Sequence, residues 1–358
     1  MFRQPQSPRR TPMSDHRTVV VADHHKSVFV CQVLDRKTGE VSRRTLSSSR
    51  GELEPFLRQL PGPVLVFVEA CRAWEWVSDL CEDLGLELKL VDPARMPEIS
   101  RSAKKTDHRD VAAMMQRLLA VGELPQSYRA SRSERELRGL TRQLSDLRHA
   151  RRDMCNRIHA LIDSHGWPAK KKSFEKTEWR SAMKERLTKD WWLVLEGLLL
   201  QLDMISALKQ RLESTLIERV KDREDYQRLA AIPGIGPVLG ATILAESAGI
   251  ARFKKARHFA AYTGLVPRVR SSAGKARLGR ITRAGPADLR WALGQAVIIS
   301  SRAKQSTEVS RMYHRKRKRG KAGKLAMCAA AHKLARVVHV LLTRNEAFNP
   351  DPRRRAVA

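Results

Sequence analysis

Two short apolar runs constrain this chain most: TVVVAD at residues 18–23 and PVLVFVE at residues 63–69. Neither alternates polar with apolar side chains across its centre, which predicts strands buried in a sheet with helices on its faces. Each run ends in an acid, Asp23 and Glu69. The segments around them read as alternating elements. SVFVCQVL follows a basic turn at His24, His25 and Lys26 and reads as a strand, and EVSRRTL as another. RGELEPFLRQL has helical spacing, AWEWVSDLCEDLG is a helix stopped at Gly85, and LELKLVDP is a further strand. DHRDVAAMMQRLLAVG is a helix that opens on Asp107 and Asp110. The order β-β-β-α-β-α-β-α predicts an α/β domain, a mixed sheet, over residues 17–128.

Residues 129–222 change character. Leu137, Leu140, Leu144, Leu147, Met154, Ile158 and Leu161 follow heptad spacing, interrupted only at Arg151, and a second periodic stretch runs from Trp192 through Leu202, Ile205, Leu208, Leu212 and Leu216. The Gly-, Pro- and Lys-containing segment between them predicts a basic loop, so the pair reads as an antiparallel coiled-coil arm. A mostly helical region follows over residues 223–347.

Charge narrows the partners. Lys and Arg number 69 against 38 Asp and Glu, a net +31 spread along the chain. Such an excess repels itself until a polyanion neutralises it, which points to nucleic acid before a membrane surface. No apolar run reaches the roughly 18 residues expected of a spanning helix. Residues 1–16 read as a disordered basic arm without a signal peptide, and residues 348–358 as a disordered polar tail. The five cysteines show no Cys-x-x-Cys pair and no zinc spacing, so reduced thiols in the cytoplasm are expected.

Within the third region, IPGIGP resembles a helix-hairpin-helix turn, in which Gly234 and Gly236 would bring backbone N–H groups to a phosphate; a plain helical corner is the bland alternative. RVRSSAGKARLGR places Ser271 and Ser272 among Arg268, Arg270, Lys275, Arg277 and Arg280. A serine can attack phosphorus once its proton is removed and the phosphate charge is neutralised. On chemistry alone, a phosphate-binding loop whose hydroxyls only donate hydrogen bonds is the simpler reading. Lys26, Lys104, Lys105 and Arg290 are further candidate nucleic-acid contacts.

The acids of KKTDHRD are the odd feature in so basic a chain. Asp107 and Asp110 suit a helix start as caps. Three apart, they also share one helix face. With Asp23 and Glu69 at strand ends they would form a four-carboxylate, oxygen-only site suited to Mg2+, with Mn2+ as a substitute.

The whole chain resembles the DEDD transposases of the "IS one-ten" insertion-sequence family, the bridge-RNA-guided serine recombinases, over roughly residues 18–345. The matching motifs are ADHHK at Asp23, FVEA at Glu69, KKTDHRDV at Asp107 and Asp110, IPGIGPVLGATILAE, FAAYTGLVPRVRSSAGKARLGRITRAG and DLRWAL. Where the family has Ser-Ser-Gly, this chain has Ser-Ser-Ala, at Ala273. The resemblance implies a RuvC-like, RNase H-fold domain, a coiled coil and a C-terminal transposase domain. It implies Mg2+ on the four carboxylates and a nucleophile at Ser272, with Ser271 as runner-up. It further implies a phosphoserine intermediate, donor and target DNA as substrates, and a structured non-coding guide RNA. A homo-oligomer built as a dimer of dimers in the bacterial cytoplasm, at the nucleoid, completes the expectation. Two other classes remain open on the residues alone: a RuvC-like nuclease using water, and a non-enzymatic nucleic-acid scaffold.

Overall fold

In the computed structural model, residues 15–71, 73–97, 106–167, 169–272 and 275–350 are described; for Lys171, residues 270–272 and residues 275–278 the description covers the backbone alone. The chain divides into two compact units at Arg129/Ala130. The first is built on β1 (Thr18–His24), β2 (Val28–Asp35) and β3 (Val41–Ser47), then α1 (Arg50–Gln59), β4 (Val64–Glu69), α2 (Trp74–Asp83), β5 (Glu87–Val91) and α3 (Asp107–Val121). Among the described residues, the order of strands and α-helices is the one the sequence pattern predicts, with a 3-10 turn at Pro93–Arg95 besides.

The five strands form one sheet in the order β3-β2-β1-β4-β5. β2 runs antiparallel to β1 and β3 antiparallel to β2, whereas β4 is parallel to β1 and β5 to β4. All seven residues of β1 are buried, as a central strand requires. Its side chains divide by strand parity. Val20 and Ala22 pack with Leu53 and Leu57 of α1 and with Val77 and Leu80 of α2. Val19 and Val21 pack with Val111, Met114, Met115 and Leu118 of α3. Each such side chain contributes roughly 1.5–3 kcal/mol through burial, so α3 is held firmly on its face. β3 closes the sheet as an edge, and its exposed Arg43 and Arg44 oppose pairing with another chain. His16, expected in a disordered arm, is buried and lies 3.2 Å from Glu87; residues 1–14 are outside the described set.

The second unit opens with α4 (Arg132–Ser164), started by a capping box between Ser131 and Glu134. After a short 3-10 turn at Lys171–Glu175 come α5 (Thr177–Arg186) and α6 (Lys189–Val220). α4 and α6 are antiparallel. Leu137 and Leu144 share a core with Leu216 and Val220, while Met154, Ile158 and Ile162 share another with Leu195, Leu199 and Leu202. Arg151, the break in the heptad pattern, donates to Ser206 at 3.3 Å and pairs with Glu175. The expected loop at the arm's tip is more ordered than its lysines suggest. Phe174, Met183 and Leu187 are buried there and close the end of the helix pair.

The remaining elements are α7 (Glu224–Ala230), α8 (Pro237–Glu246), α9 (Ala256–Tyr262), β6 (Pro267–Ser272), β7 (Lys275–Ile281), α10 (Ala287–Ser300), α11 (Glu308–Lys318) and α12 (Gly323–Arg344). Their core takes in the base of α4 and α6, so the arm and the helical region belong to one unit. A polar joint locks them together: the carboxylate of Glu246, only 1% exposed, accepts from Arg142 Nε at 2.8 Å and from Arg142 Nη2 at 3.2 Å. Ser145 donates to Asp288 at 2.6 Å, and the guanidinium of Arg148 lies 3.6 Å from the ring centre of Trp291. Phe348 packs against this core, so the chain is still anchored where a disordered tail was expected to begin; residues 351–358 lie outside the described set.

Two helices, α6 and α12, are long and apolar enough by length and composition to cross a membrane. The scattered charges of each hide this from a search for unbroken apolar runs. α12 spends its apolar residues on the core, with Ala326, Ala330, Leu334 and Val338 buried. α6 is different: besides the face packed on α4, it exposes Leu193, Leu200 and Met204, each more than 60% accessible.

Candidate metal and nucleic-acid site

Parity brings the acids to one face. Asp23 continues the Val19, Val21 series of β1, and Glu69 continues the Leu65, Phe67 series of β4. Both series face α3, the helix whose first turn carries Asp107 and Asp110. The N-cap Thr106 makes no side-chain capping bond, and β1 and β4 are adjacent parallel strands that end at the same edge of the sheet. Ligands in such sheets sit outside the carboxyl ends of the strands.

Asp23 is 4% exposed. Burial pushes its carboxyl above the ordinary range, and the charges of Asp107 and Asp110 push the same way, while His25 opposes them. His25 is the residue that sequence reasoning passed over. Its Nε2 lies 3.1 Å from Asp23 Oδ2 and 3.1 Å from Asp107 Oδ1. Partial burial works against its charged form, but Asp23, Asp107, the hydrogen bond to Asp23, and Glu69 together outweigh that and raise its pKa. The imidazolium thus feels three of the four predicted acids and Asp23 feels the fourth. Among the described residues, Asp23, His25 and Asp107 form a group whose ligand atoms lie within 4.8 Å of one another. The signal for His25 was the motif ADHHK itself, which puts a titratable ring two residues past a strand-end acid.

The neighbours keep this edge in place. His24 is buried, with Nε2 2.6 Å from the Ser48 hydroxyl and its ring edge-on to Trp76. Burial, with a smaller effect of His25, lowers its pKa and keeps it neutral. The Cys71 thiol donates to the His24 carbonyl at 2.8 Å, tying the segment after Glu69 to the end of β1. Burial and the nearby acids push that thiol up to about 11, which removes it as a thiolate nucleophile at neutral pH. Lys26 is exposed in the β1–β2 turn; Lys104 and Lys105 lie outside the described residues.

In the second unit, Ser271 and Ser272 end β6, where Ser271 pairs with Ala276 and Ser272 with Lys275 of β7. Arg270 pairs with Arg277 two positions back. The base of this hairpin is tightly built. Gly264 and Gly285 have φ of +69° and +85°, and a Cβ at either would lie 2.2 Å or less from a backbone oxygen. Arg290 donates to the Gly285 carbonyl at 2.7 Å, so its guanidinium braces the hairpin base. Arg268 and Arg280 are exposed on the two strands. Gly234, with φ of +99°, is pressed against α10, since a Cβ there would lie 2.5 Å from the Ala296 carbonyl oxygen. Its packing alone explains the glycine. Gly236 is open and forms the N-cap of α8 without a capping side chain.

A central mixed sheet with a mostly helical C-terminal region, and an acidic cluster at the sheet edge, is consistent with a DEDD-type, RNase H-like transposase, a class that uses divalent metal. The comparisons agree. Residues 20–166 match a DEDD transposase family of the IS110 type, and residues 226–315 match the family described as "Transposase IS116/IS110/IS902 family". A probable family 20 transposase of Pseudomonas aeruginosa is 32% identical over 342 residues, covering 92% of this chain and 97% of that protein. A transposase for the insertion sequence element IS1328 of Yersinia enterocolitica is 27% identical, covering 93% and 98%. A putative transposase of Sinorhizobium fredii is 29% identical, covering 91% and 84%. The chain belongs to the IS110/IS116/IS902 family of insertion-sequence transposases, enzymes that catalyse DNA transposition.

Proposed function

We propose that this transposase cuts and rejoins donor and target DNA through a covalent phosphoserine, with Asp23, Glu69, Asp107 and Asp110 holding Mg2+ and Ser272 as nucleophile. The gathering of Asp23 and Asp107 around His25, with Glu69 and Asp110 near enough to act on the cluster electrostatically, carries the reading. A buried Asp23 pushed toward its protonated form by two further acids is a site that a cation relieves. The oxygen donors suit a hard divalent ion, and one imidazole nitrogen is compatible with it. Bound there, such an ion would lower the charge barrier to attack on a phosphodiester.

The chain's own groups account for the rest. The Ser272 hydroxyl gives up its proton and its oxygen bonds to phosphorus, while one bridging P–O bond breaks and that oxygen leaves as a hydroxyl. Reversal by the hydroxyl of another strand would rejoin DNA and regenerate the serine. Cations of the hairpin, Arg268 and Arg280 among them, would hold the phosphate backbone. The resemblance to bridge-RNA-guided recombinases and the net +31 support a structured guide RNA as second partner, and the exposed apolar stripe of α6 supports a homo-oligomer. The enzyme would act on nucleoid DNA in the cytoplasm.

The test is to incubate protein, Mg2+, candidate guide RNA from the flanking element and DNA carrying the element's ends. A protein–DNA adduct that survives denaturant and disappears with EDTA is expected. Cleaved DNA without an adduct would instead mark a hydrolytic nuclease. Binding with neither product would leave a scaffold.

A further inference from the structure

Between Glu308 and Glu346 the chain has no acidic residue, and residues 311–324 contain eight Lys or Arg in fourteen positions. They occupy the corner between α11 and α12. The corner is a defined turn: Gly320, at φ +74°, donates to the Arg317 carbonyl at 3.0 Å, and Lys321 donates to that of Lys316 at 3.2 Å, the bond pair of a Schellman motif. Arg317 also donates from its guanidinium to the Lys321 carbonyl at 2.8 Å. α12 then begins at Gly323, with Ala322 as a cap that offers no side-chain acceptor and no acid in the first turn.

Folding alone does not account for this composition. Basic residues in the last turn of α11 suit its carbonyl end. Lys321 and Lys324 at the start of α12 do not, because that end is already positive and each misplaced charge costs roughly 0.3–1 kcal/mol. Among the described residues, none of the seven cations from Arg315 to Lys324 makes an ion pair, and all but Lys316 are exposed. α12 is meanwhile anchored by Ala326, Ala330 and Leu334 in the core. The corner is therefore a rigid positive surface whose side chains, turn and helix start all favour anions.

We infer that the α11–α12 corner grips the phosphate backbone of duplex DNA, as a contact surface additional to the β6–β7 hairpin. A cluster of exposed cations on a defined turn suits a line of phosphates. Contacts to phosphate of this kind position DNA without by themselves selecting its sequence.

The experiment compares wild type with the quadruple variant Lys318→Gln, Arg319→Gln, Lys321→Gln, Lys324→Gln. The control is Arg43→Gln, Arg44→Gln, Arg50→Gln, Arg58→Gln, which removes the same charge from the first unit. The affinity of each for a 40-base-pair duplex of arbitrary sequence is measured against salt. The corner variant should lose about 3–4 from the slope of log affinity against log salt, near 0.9 for each phosphate released. Its thermal midpoint should stay the same or rise. Three results would overturn the inference: an unchanged slope, an equal loss in the control, or a loss seen with structured RNA but not with the duplex.

Discussion

The imidazole of His25 sits between Asp23 and Asp107 with its Nε2 3.1 Å from an oxygen of each, joining the end of the central strand to the start of a helix from the far end of the same unit. Two ligands at neighbouring corners of an octahedral ion with bonds of about 2.1 Å are themselves about 3 Å apart. The ring therefore already stands at ligand spacing from both acids. His25→Ala should weaken Mn2+ binding by about tenfold and Mg2+ binding by less, since imidazole favours the softer ion. Calorimetric titration of the purified protein with each metal tests this. Equal Mn2+ affinity in the variant would mean that the ring swings aside when the ion enters.

Asp23 gives a stability prediction with a definite sign. Its folded pKa is raised, burial being the largest cause. A carboxyl of that kind contributes stability that is fully present below its unfolded pKa and is lost as pH rises through its folded pKa. Without metal, the burial of Asp23 is thus a liability above its unfolded pKa, only partly offset by His25. Asp23→Asn should raise the thermal midpoint of the metal-free protein at pH 7. The gain should shrink toward pH 4, and recombination should be lost throughout. Differential scanning calorimetry in EDTA decides; a lower midpoint at pH 7 would show that the His25 bond outweighs desolvation.

The exposed stripe of α6 yields a third expectation. Leu200 and Met204 are 64% and 68% exposed on the helix face away from the α4 core. Charging them should cost little in folding, because neither is packed. Leu200→Glu with Met204→Glu should lower the mass measured by light scattering at micromolar protein while leaving the urea midpoint nearly unchanged. An unchanged mass would move the oligomer contact to another surface.

Much of the first unit was legible because its signals are local. Val19–Ala22 and Val64–Val68 are too apolar for anything but central strands, and Asp107 with Asp110 marks a helix start. Even the convergence of the acids follows from parity, since Asp23 and Glu69 extend the Val21 and Phe67 rows. His25 was harder, because a ring in a turn gains meaning only from what the chain brings back much later. Glu246 shows the same limit: within an apolar helix it looks like a stray charge, and only its pairing with Arg142 explains its burial. Gly234 carries a constraint that the sequence did not show: its close approach to Ala296 and Ser300 makes the glycine a packing requirement as well. Phe174, set among lysines, hid a core residue behind a charge run.

The last expectation concerns the serine. Ser271 and Ser272 pair with Ala276 and Lys275 as the closing rungs of the β6–β7 hairpin. The two serines occupy successive rungs, so each needs its own alanine variant. Ser272→Ala should abolish the denaturant-stable adduct and all recombination. It should leave DNA and RNA affinity within about twofold, since one hydroxyl is removed from an interface dominated by cations. Ser271→Ala should keep the adduct and change its rate only modestly. Gel analysis of end-labelled DNA with each variant, beside an Asp107→Asn control, separates the outcomes. An adduct lost only in Ser271→Ala would move the nucleophile by one rung. Recombination surviving in both variants would assign the attack to water or a DNA hydroxyl, with the carboxylates as the whole of the catalytic machinery.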